Sequence, residues 1–281
     1  MVVVASAIKD SGRLKFWENY YRLRKWVAPV REKIYQGVCH LVPSNVGRKS
    51  PLVILTSGRT GSTFFVDCLN SVPQIFIYEE LLNHKVELGL PEGITGKKAA
   101  DYLAKMFNLT VLPIYGVKLQ LYQLRQRELS FAELPARFPN AKYIVMYRKD
   151  LLKAFLSNAK AIITSQWVVL PGQKKKNQKI GFDPLWYEEY CQRILEEYQE
   201  LIWEPTIRKQ ALFVDYESLS EDRDRYFEKR VFPFLGLPTR KVRTNFIRQS
   251  NYQCPTEVVS NPEAIKPYLD DWRRSFDPRR I

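Results

Sequence analysis

Residues 56–63, with the sequence TSGRTGST, carry the residue types that bind phosphate groups in α/β proteins. An apolar run at residues 52–55 precedes them, and an apolar helical pattern at residues 64–69 follows. In this strand–loop–helix order, the N–H groups at the helix N-terminus point toward an anion, and the helix dipole favours negative charge there. The glycines permit a tight turn, and the arginine adds a cation. The candidate anion ligands are Ser57, Gly58, Arg59, Thr60, Gly61, Ser62 and Thr63.

This loop differs from the two common nucleotide-binding signatures. A Walker loop requires GxxxxGK[ST], but here Ser62 follows the second glycine, and the loop cannot be extended to GxGxxG. Because the Walker lysine and the magnesium ligand beside it are missing, the sequence favours a transfer that uses no metal. The alternative interpretation is a Gly/Ser turn that only caps the helix.

A second candidate cation follows another apolar run. Residues 143–147 predict a buried strand, Arg148 comes directly after it, and Ser157 lies on the next predicted helix. An arginine at the carboxyl end of a parallel strand lies at the crevice where α/β folds bind ligands, and its guanidinium suits phosphate. Lys149 is the rival for this role. The alternative to a site is a surface arginine with an ordinary helical serine.

Apolar runs that alternate with helical patterns indicate how these residues are positioned. They predict an α/β protein with a P-loop-like three-layer fold, in which helices flank a central parallel sheet. We expect residues 51–281 to form this domain and residues 1–50, which are basic and aromatic, to form a helical N-terminal extension. The predicted strands are residues 52–55, 114–121, 143–147 and 211–214, and the predicted helices are residues 64–69, 98–108, 151–163 and 185–203.

The composition indicates which kinds of binding partner and which cellular compartment to expect. With 44 Lys and Arg against 30 Asp and Glu, the net charge of +14 favours an anionic partner. We expect no nucleic acid, because no zinc finger, RNP-like or helix-turn-helix motif is visible. Four widely spaced cysteines without a CxxC pair argue against a zinc site or a disulfide framework and predict a cytoplasmic protein. No apolar run approaches the ~20 residues of a membrane-spanning helix.

Two basic segments have open interpretations. Residues 1–50 predict amphipathic helices that either pack on the main domain or lie on anionic lipid, as a peripheral membrane contact. Residues 171–179, with the sequence PGQKKKNQK, are either a solvated loop or a lid that gathers an anionic acceptor.

The loop and the second cation together resemble the sulfotransferase superfamily, which uses the donor 3′-phosphoadenosine 5′-phosphosulfate (PAPS). Its first signature is a strand followed by SxRSGST or TxRTGST, and the match here is close. Residues 148–157 are similar to the RxDLLxxxxS form of the bacterial carbohydrate branch, such as trehalose and nodulation-factor sulfotransferases. The resemblance implies that the loop cradles the 5′-phosphosulfate and that Arg148 and Ser157 bind the 3′-phosphate. In the animal cytosolic branch the arginine and the serine are one residue closer in sequence, so Lys149 stays a candidate for the role of Arg148 at the 3′-phosphate.

Weaker similarities extend over residues 51–269. Residues 116–119 resemble the GFKL strand of the carbohydrate branch, which implies that Lys118 points into the same cleft. Residues 182–184 and 215–219 resemble two further landmarks of that branch. Residues 247–250 and 258–261 resemble its closing segment, which implies that Arg248 helps to close over the nucleotide.

Sulfuryl transfer also requires a base for the acceptor hydroxyl. The chain has two histidines, His40 and His84. The carbohydrate branch has a glutamate in a GELL-like pattern, and residues 78–82 (YEELL) resemble it, which implies Glu80 as the general base. Glu79 and His84 are the alternative bases. A carboxylate acts as a base if burial raises its pKa toward the working pH. The alternative to any base here is that Glu79 and Glu80 are ordinary surface acids at a helix start.

The resemblance therefore implies transfer from PAPS to a hydroxyl of a carbohydrate, glycolipid or other small acceptor. Arg59 and the loop N–H groups are expected to stabilise the leaving phosphate, and Lys118 is a further catalytic candidate in the same cleft. Trp167 and Trp186 either stack on sugar rings or belong to the core. The alternatives are another nucleotide-dependent transferase and a non-catalytic nucleotide-binding module, while the oligomeric state is left open.

Overall fold

A computed structural model describes residues 50–85, 89–108, 112–169, 172–246 and 254–281 of the chain. The predicted N-terminal extension lies outside these residues, apart from Ser50, and Arg248 lies outside them as well. Both therefore stay predictions.

Five parallel strands form the central sheet, in the order β2–β3–β1–β4–β5. This arrangement confirms the predicted α/β fold with a parallel sheet. The strands are β1 (Ser50–Thr56), β2 (Ile75–Tyr78), β3 (Ile114–Gln120), β4 (Lys142–Tyr147) and β5 (Leu212–Asp215).

Helices connect and cover the strands. None in the described part of the chain is long and apolar enough to cross a membrane. A π-helical turn at Phe227–Val231 joins two of the short helices. The helices are α1 (Ser62–Asn70), α2 (Gly96–Asn108), α3 (Leu121–Gln126), α4 (Glu133–Arg137), α5 (Leu151–Thr164), α6 (Pro184–Ile202), α7 (Pro205–Gln210), α8 (Tyr216–Glu221), α9 (Arg223–Tyr226), α10 (Phe232–Leu235) and α11 (Pro262–Ile265).

Strand β1 shows why the fold has three layers. Leu52 and Ile54 pack into an apolar core that contains α1, while Val53 and Leu55 pack into a second core that contains α5 and α6. Successive side chains of a strand point to opposite faces, so a continuous apolar run requires cover on both sides. Helices on both faces of the sheet provide that cover.

The strand order places a crevice at the carboxyl end of β1. After β1 the chain builds β2 and β3 on one side of it and then β4 and β5 on the other. Open α/β sheets bind ligands where the order reverses in this way. The TSGRTGST loop leaves β1 at that point, and the carboxyl ends of the other four strands lie along the same edge.

Several elements are absent from the sequence-based prediction. Strand β2 has only four residues and, in the part of the chain that the structure describes, pairs with β3 alone at the edge of the sheet. Helices α8 to α11 have four to six residues each, which is too short for a helical period to be recognised. The longer helices match their predicted positions closely, and two of them have defined starts, because Asp150 caps α5 and Asp183 caps α6 through side-chain hydrogen bonds.

Substitution of Gly116 tests the close packing of the two central strands. A Cβ atom at this position would lie 1.9 Å from the backbone oxygen of Leu52, its partner on β1. We expect Gly116→Ala to lower the free energy of unfolding by at least about 2 kcal/mol, because backbone must move to relieve the overlap. Urea unfolding measures the change. The control is Gly181→Ala, where an added Cβ meets no atom within 4 Å; equal stability of both variants would contradict the packing described here.

Candidate anion-binding and catalytic site

The loop between β1 and α1 has the geometry of an anion cradle. Gly61, at the N-cap of α1, has φ 74°, and no side chain among the described residues caps the helix. Arg59 adopts a left-handed conformation with φ 68°, which is uncommon outside glycine and is found at functional sites. The hydroxyl oxygens of Thr56 and Thr60, 2.5 Å apart, close the base of the loop. Because no side chain caps α1, its first N–H groups face the crevice and suit an anion.

Gly61 is required by its neighbour as well as by its conformation. A Cβ atom there would lie 2.3 Å from Cδ2 of Tyr216, which follows β5. The same tyrosine ring lies 4.8 Å from the guanidinium carbon of Arg148. The aromatic ring therefore fixes the spacing between the loop and the cation that follows β4.

Two guanidinium groups meet at the loop. Arg59 donates from Nε and Nη2 to Ser157 Oγ, at 3.0 and 2.9 Å. Arg148 donates from Nη1 to the carbonyl oxygen of Arg59 at 3.3 Å. Burial, and then the charge of Arg148, lower the pKa of Arg59 to about 10. The structure thus brings together the three residues expected at the two phosphates, in an arrangement that an anion would stabilise.

The two candidates after β4 point in different directions. The Arg148 side chain is 11% exposed, with Nε 3.6 Å from Glu217 Oε1. The Lys149 side chain is 41% exposed, and its Nζ lies 2.8 Å from Asp215 Oδ1. Within the described part of the chain, the buried Nε of Arg148 has no hydrogen-bond partner. Arg148 is therefore the more buried of the two cations and the one that faces the loop.

A buried lysine and two acids lie on the other side of α1. Lys118 Nζ is 2.6 Å from Glu79 Oε2, 3.2 Å from Glu80 Oε1 and 3.2 Å from Thr63 Oγ1, to which it donates. Burial lowers the pKa of Lys118, but the two carboxylates outweigh burial and raise it overall. Lys118 is therefore a cation next to the first turn of α1.

Glu80 is held by amide groups. Its carboxylate accepts hydrogen bonds from Asn83 Nδ2 at 3.0 Å, Gln120 Nε2 at 3.3 Å and Gln123 Nε2 at 3.0 Å. Burial alone would raise the pKa of Glu80, but Lys118 and the amide donors outweigh it and lower the pKa, which is opposite to the raised pKa expected of a carboxylate base. Glu80 is consequently ionised at neutral pH and fixed in orientation.

The three candidates for the base differ in access. The Glu79 side chain is 4% exposed and forms the shorter contact to Lys118, whereas the Glu80 side chain is 22% exposed. His84 lies on the surface of the chain. Among the three, Glu80 combines access with a fixed carboxylate beside Lys118.

Arg127 positions the segment that follows these acids, and nothing in its local sequence indicates this. The side chain is buried and donates hydrogen bonds only to backbone oxygens of this segment in the contacts described here. A buried guanidinium with several carbonyl partners holds a loop in one conformation. The acceptors are the carbonyl oxygens of Leu82, Leu90, Pro91 and Ile94, at 2.6 to 3.0 Å.

Tyr198 on α6 is a second residue that sequence analysis missed. Its hydroxyl accepts from the N–H of Ser57 at 3.3 Å, lies 3.2 Å from Ser57 Oγ and donates to the carbonyl oxygen of Met146 at 2.5 Å. Ser57, expected as an anion ligand, is thus engaged with α6. Only the fold brings these residues together, because Tyr198 is 141 positions from Ser57.

The two tryptophans have different surroundings. Arg59 Nη1 donates to the carbonyl oxygen of Trp167 at 3.0 Å, and the Arg59 guanidinium carbon lies 5.8 Å from the Trp167 ring. Trp186 packs edge-to-face on Phe155, with ring centroids 5.0 Å apart. Trp167 therefore borders the candidate site, whereas Trp186 packs against the core.

Two of the weaker sequence landmarks contact each other. The side chain of Asn261 accepts from the N–H of Phe182 at 2.7 Å and donates to its carbonyl oxygen at 2.9 Å. Ile180 forms a bridge with Val259. The segment before α6 and the closing segment thus form one unit.

The cysteines of the described residues form no disulfide framework. Cys68 and Cys191 are buried, and Cys254 is partly exposed; all three are thiols. Within the same residues, no group of three His, Cys, Asp or Glu side chains is arranged to hold a metal ion.

Comparison with known proteins gives a likeness in structure but not in sequence. No protein-family model matches the chain, and no curated protein matches it. Among solved structures, it is similar to a sulfotransferase from Alicyclobacillus acidocaldarius, with 16% identity, a TM-score of 0.46, and coverage of 80% of this chain and 99% of that one.

Two further structures are similar to the chain. The sulfotransferase domain of the Synechococcus olefin synthase has 18% identity and a TM-score of 0.46, and the match covers 82% of this chain and 90% of the domain. A mouse sulfotransferase complexed with PAP has 13% identity and a TM-score of 0.43, and the match covers 84% of this chain and 83% of the mouse chain. All three are sulfotransferases. At these identities and TM-scores, the function of this chain depends on the residues of its own site.

The low pKa of Glu80 is open to direct measurement. We expect Asn83→Asp to raise the pKa of Glu80, because it replaces an amide donor with a like charge while keeping the shape of the side chain. A carbon-detected NMR titration of the Glu80 carboxyl group measures the shift. The control is Asn140→Asp, which adds the same charge just before β4, at the amino end of the sheet. An unchanged Glu80 titration in Asn83→Asp would contradict the hydrogen bond described here.

Proposed function

We propose that this protein transfers a sulfuryl group from PAPS to a hydroxyl of a carbohydrate, glycolipid or other small acceptor. The observation that carries this proposal is the meeting of Arg59 and Arg148 beside the uncapped N-terminus of α1. The donor is a polyanion with phosphate groups at two positions. A site with two adjacent guanidiniums and helix N–H groups suits such a ligand.

The residues present fit the donor in two parts. The loop N–H groups, Arg59 and Lys118 would hold the phosphosulfate, while Arg148 and Ser157 would hold the 3′-phosphate. The buried Nε of Arg148 lies 3.6 Å from Glu217 without a hydrogen bond in the described residues, and a phosphate oxygen would compete with Glu217 for it. Because Arg59 bonds to Ser157, the two subsites adjoin, and we infer that these side chains exchange their mutual contact for phosphate oxygens.

The donor supplies an activated sulfuryl group. The acceptor hydroxyl forms the new S–O bond, and the bond from sulfur to the bridging phosphate oxygen breaks, with the electron pair remaining on the phosphate. Glu80 accepts the hydroxyl proton, while Arg59, Lys118 and the first N–H groups of α1 stabilise the negative charge that develops on the phosphate oxygen.

Glu80 acts through its position more than through its basicity. Its low pKa keeps it ionised, and three amide donors hold its carboxylate in one orientation beside Lys118. A base held in reach of the hydroxyl gains from proximity and orientation. The carbohydrate character of the acceptor and a cytoplasmic location are parts of the proposal supported by the sequence alone.

Thermal stabilisation by PAP, the product left by the donor, tests the donor site. A ligand at a hundred times its Kd adds roughly 2.7 kcal/mol to stability, which raises Tm by several degrees in a domain of this size. We expect selective stabilisation by PAP without magnesium, lost in Arg148→Ala and retained in Lys149→Ala, the matched control from the next position. Stabilisation by ATP or GTP alone would favour a kinase-like protein. If no nucleotide stabilised the protein, the proposed donor site would be wrong.

Replacement of Glu80 or Glu79 by glutamine tests which of the two is the general base. We expect Glu80→Gln to lower kcat by about 10²- to 10⁴-fold while PAP still stabilises the protein, because the change removes the proton acceptor and leaves the loop intact. Transfer of radiolabelled sulfur from PAPS to a panel of sugar and glycolipid acceptors measures the rate. Glu79→Gln is the comparison. If Glu79→Gln lost turnover and Glu80→Gln kept it, the base would be Glu79.

A further inference from the structure

A surface beside the candidate site combines lysines with exposed isoleucines. Residues 151–182 contain six lysines and no aspartate or glutamate. Part of this segment folds against the C-terminal end of α5. We call this surface the basic rim and define it by six residues, Lys160, Ile162, Ile163, Lys174, Lys175 and Lys176.

Side-chain contacts fix the lysine segment to the helix end. Gln166 donates from Nε2 to the carbonyl oxygen of Lys174 at 3.1 Å, and its Oε1 accepts from the N–H of Lys176 at 3.0 Å. Lys176 Nζ donates to the carbonyl oxygen of Thr164, in the last turn of α5, at 2.7 Å. Lysines are stabilised at a helix C-terminus by this kind of contact. The positive charges are thereby held together at one place on the surface.

The charges of the basic rim are not balanced by acids of its own segment. Burial, and then the charge of Lys175, lower the pKa of Lys160. The effect of Lys175 on Lys160 indicates a local excess of positive charge. A partner that brings several negative charges would relieve this repulsion.

The isoleucines distinguish between two kinds of anionic partner. Ile162 is 45% exposed and Ile163 is 43% exposed, and both lie in the last turn of α5 beside Lys160. An acidic glycan would bind the lysines but would leave these apolar side chains in water. A bilayer with anionic lipid can bind both the lysines and the isoleucines. Its phosphate headgroups attract lysine, and aliphatic side chains enter the boundary between headgroups and acyl chains.

The basic rim borders the candidate site. Helix α5 carries Ser157 nearer its start, and the carbonyl oxygen of Trp167, just after the helix, accepts a hydrogen bond from Arg59. We propose that the basic rim docks this protein on a membrane surface that contains anionic lipid. Docking there would place the candidate site next to molecules presented at the membrane surface.

Binding of the full chain to vesicles tests the docking surface. Vesicles of phosphatidylcholine are compared with vesicles that also contain phosphatidylserine, by sedimentation at two salt concentrations. We expect binding to the mixed vesicles that weakens with salt, and a loss of at least about tenfold in Lys174→Glu/Lys175→Glu, since each lysine near an anionic surface contributes to binding. Ile162→Ser/Ile163→Ser is expected to weaken binding while leaving the salt dependence in place.

The matched control changes the same charge elsewhere. Arg240→Glu/Lys241→Glu alters two exposed residues beside Val242, which packs in the core on the opposite face of the sheet. We expect this variant to bind mixed vesicles much more tightly than the lysine variant of the basic rim. Equal loss in both would show a general effect of net charge and overturn the proposal. So would wild-type vesicle binding in Lys174→Glu/Lys175→Glu, or binding to a sulfated oligosaccharide with none to vesicles.

Discussion

Two guanidinium groups held side by side are the constraint on which the candidate site depends. Burial opposes the charge of Arg59, and the nearby charge of Arg148 adds to this cost, as the lowered pKa of Arg59 indicates. Their positions are maintained by the left-handed backbone at Arg59, by the hydrogen bond from Arg148 to the Arg59 carbonyl oxygen and by the ring of Tyr216. These contacts come from the carboxyl ends of β1, β4 and β5. The arrangement therefore requires this strand order.

The site has opposite charge on its two sides. Arg59 and Arg148 make one side cationic, while Glu79 and Glu80 make the other side acidic around Lys118. The first turn of α1 separates them and contacts Lys118 through Thr63. An anion and a proton acceptor can occupy neighbouring positions here without direct repulsion, because a buried cation and the helix N-terminus lie between them.

Long-range contacts keep both sides in register with the sheet. Tyr198 ties the start of the loop to β4, and Arg127 holds the chain after Glu80 through backbone oxygens. The basic rim, in contrast, is built from a helix end and an adjacent segment fixed by Gln166. The fold therefore holds the side chains of the candidate site in place through long-range contacts, whereas it forms the lysines and isoleucines of the basic rim from neighbouring segments.

The sequence by itself determined the features that depend on neighbouring residues. A continuous apolar run must be buried on both faces, so β1, β4 and the three-layer fold could be predicted. The loop and Arg148 could be predicted as site residues because each directly follows the carboxyl end of one of these strands. Only the tertiary structure decided which distant side chains meet. The contact of Arg59 with Ser157, the orientation of Arg148 and the amides around Glu80 depend on strand order. Strand β2 depends on it too, because its four residues are held by pairing with β3, by burial of Ile75 and Ile77 in the core and by hydrogen bonds with the Asn70 side chain of α1.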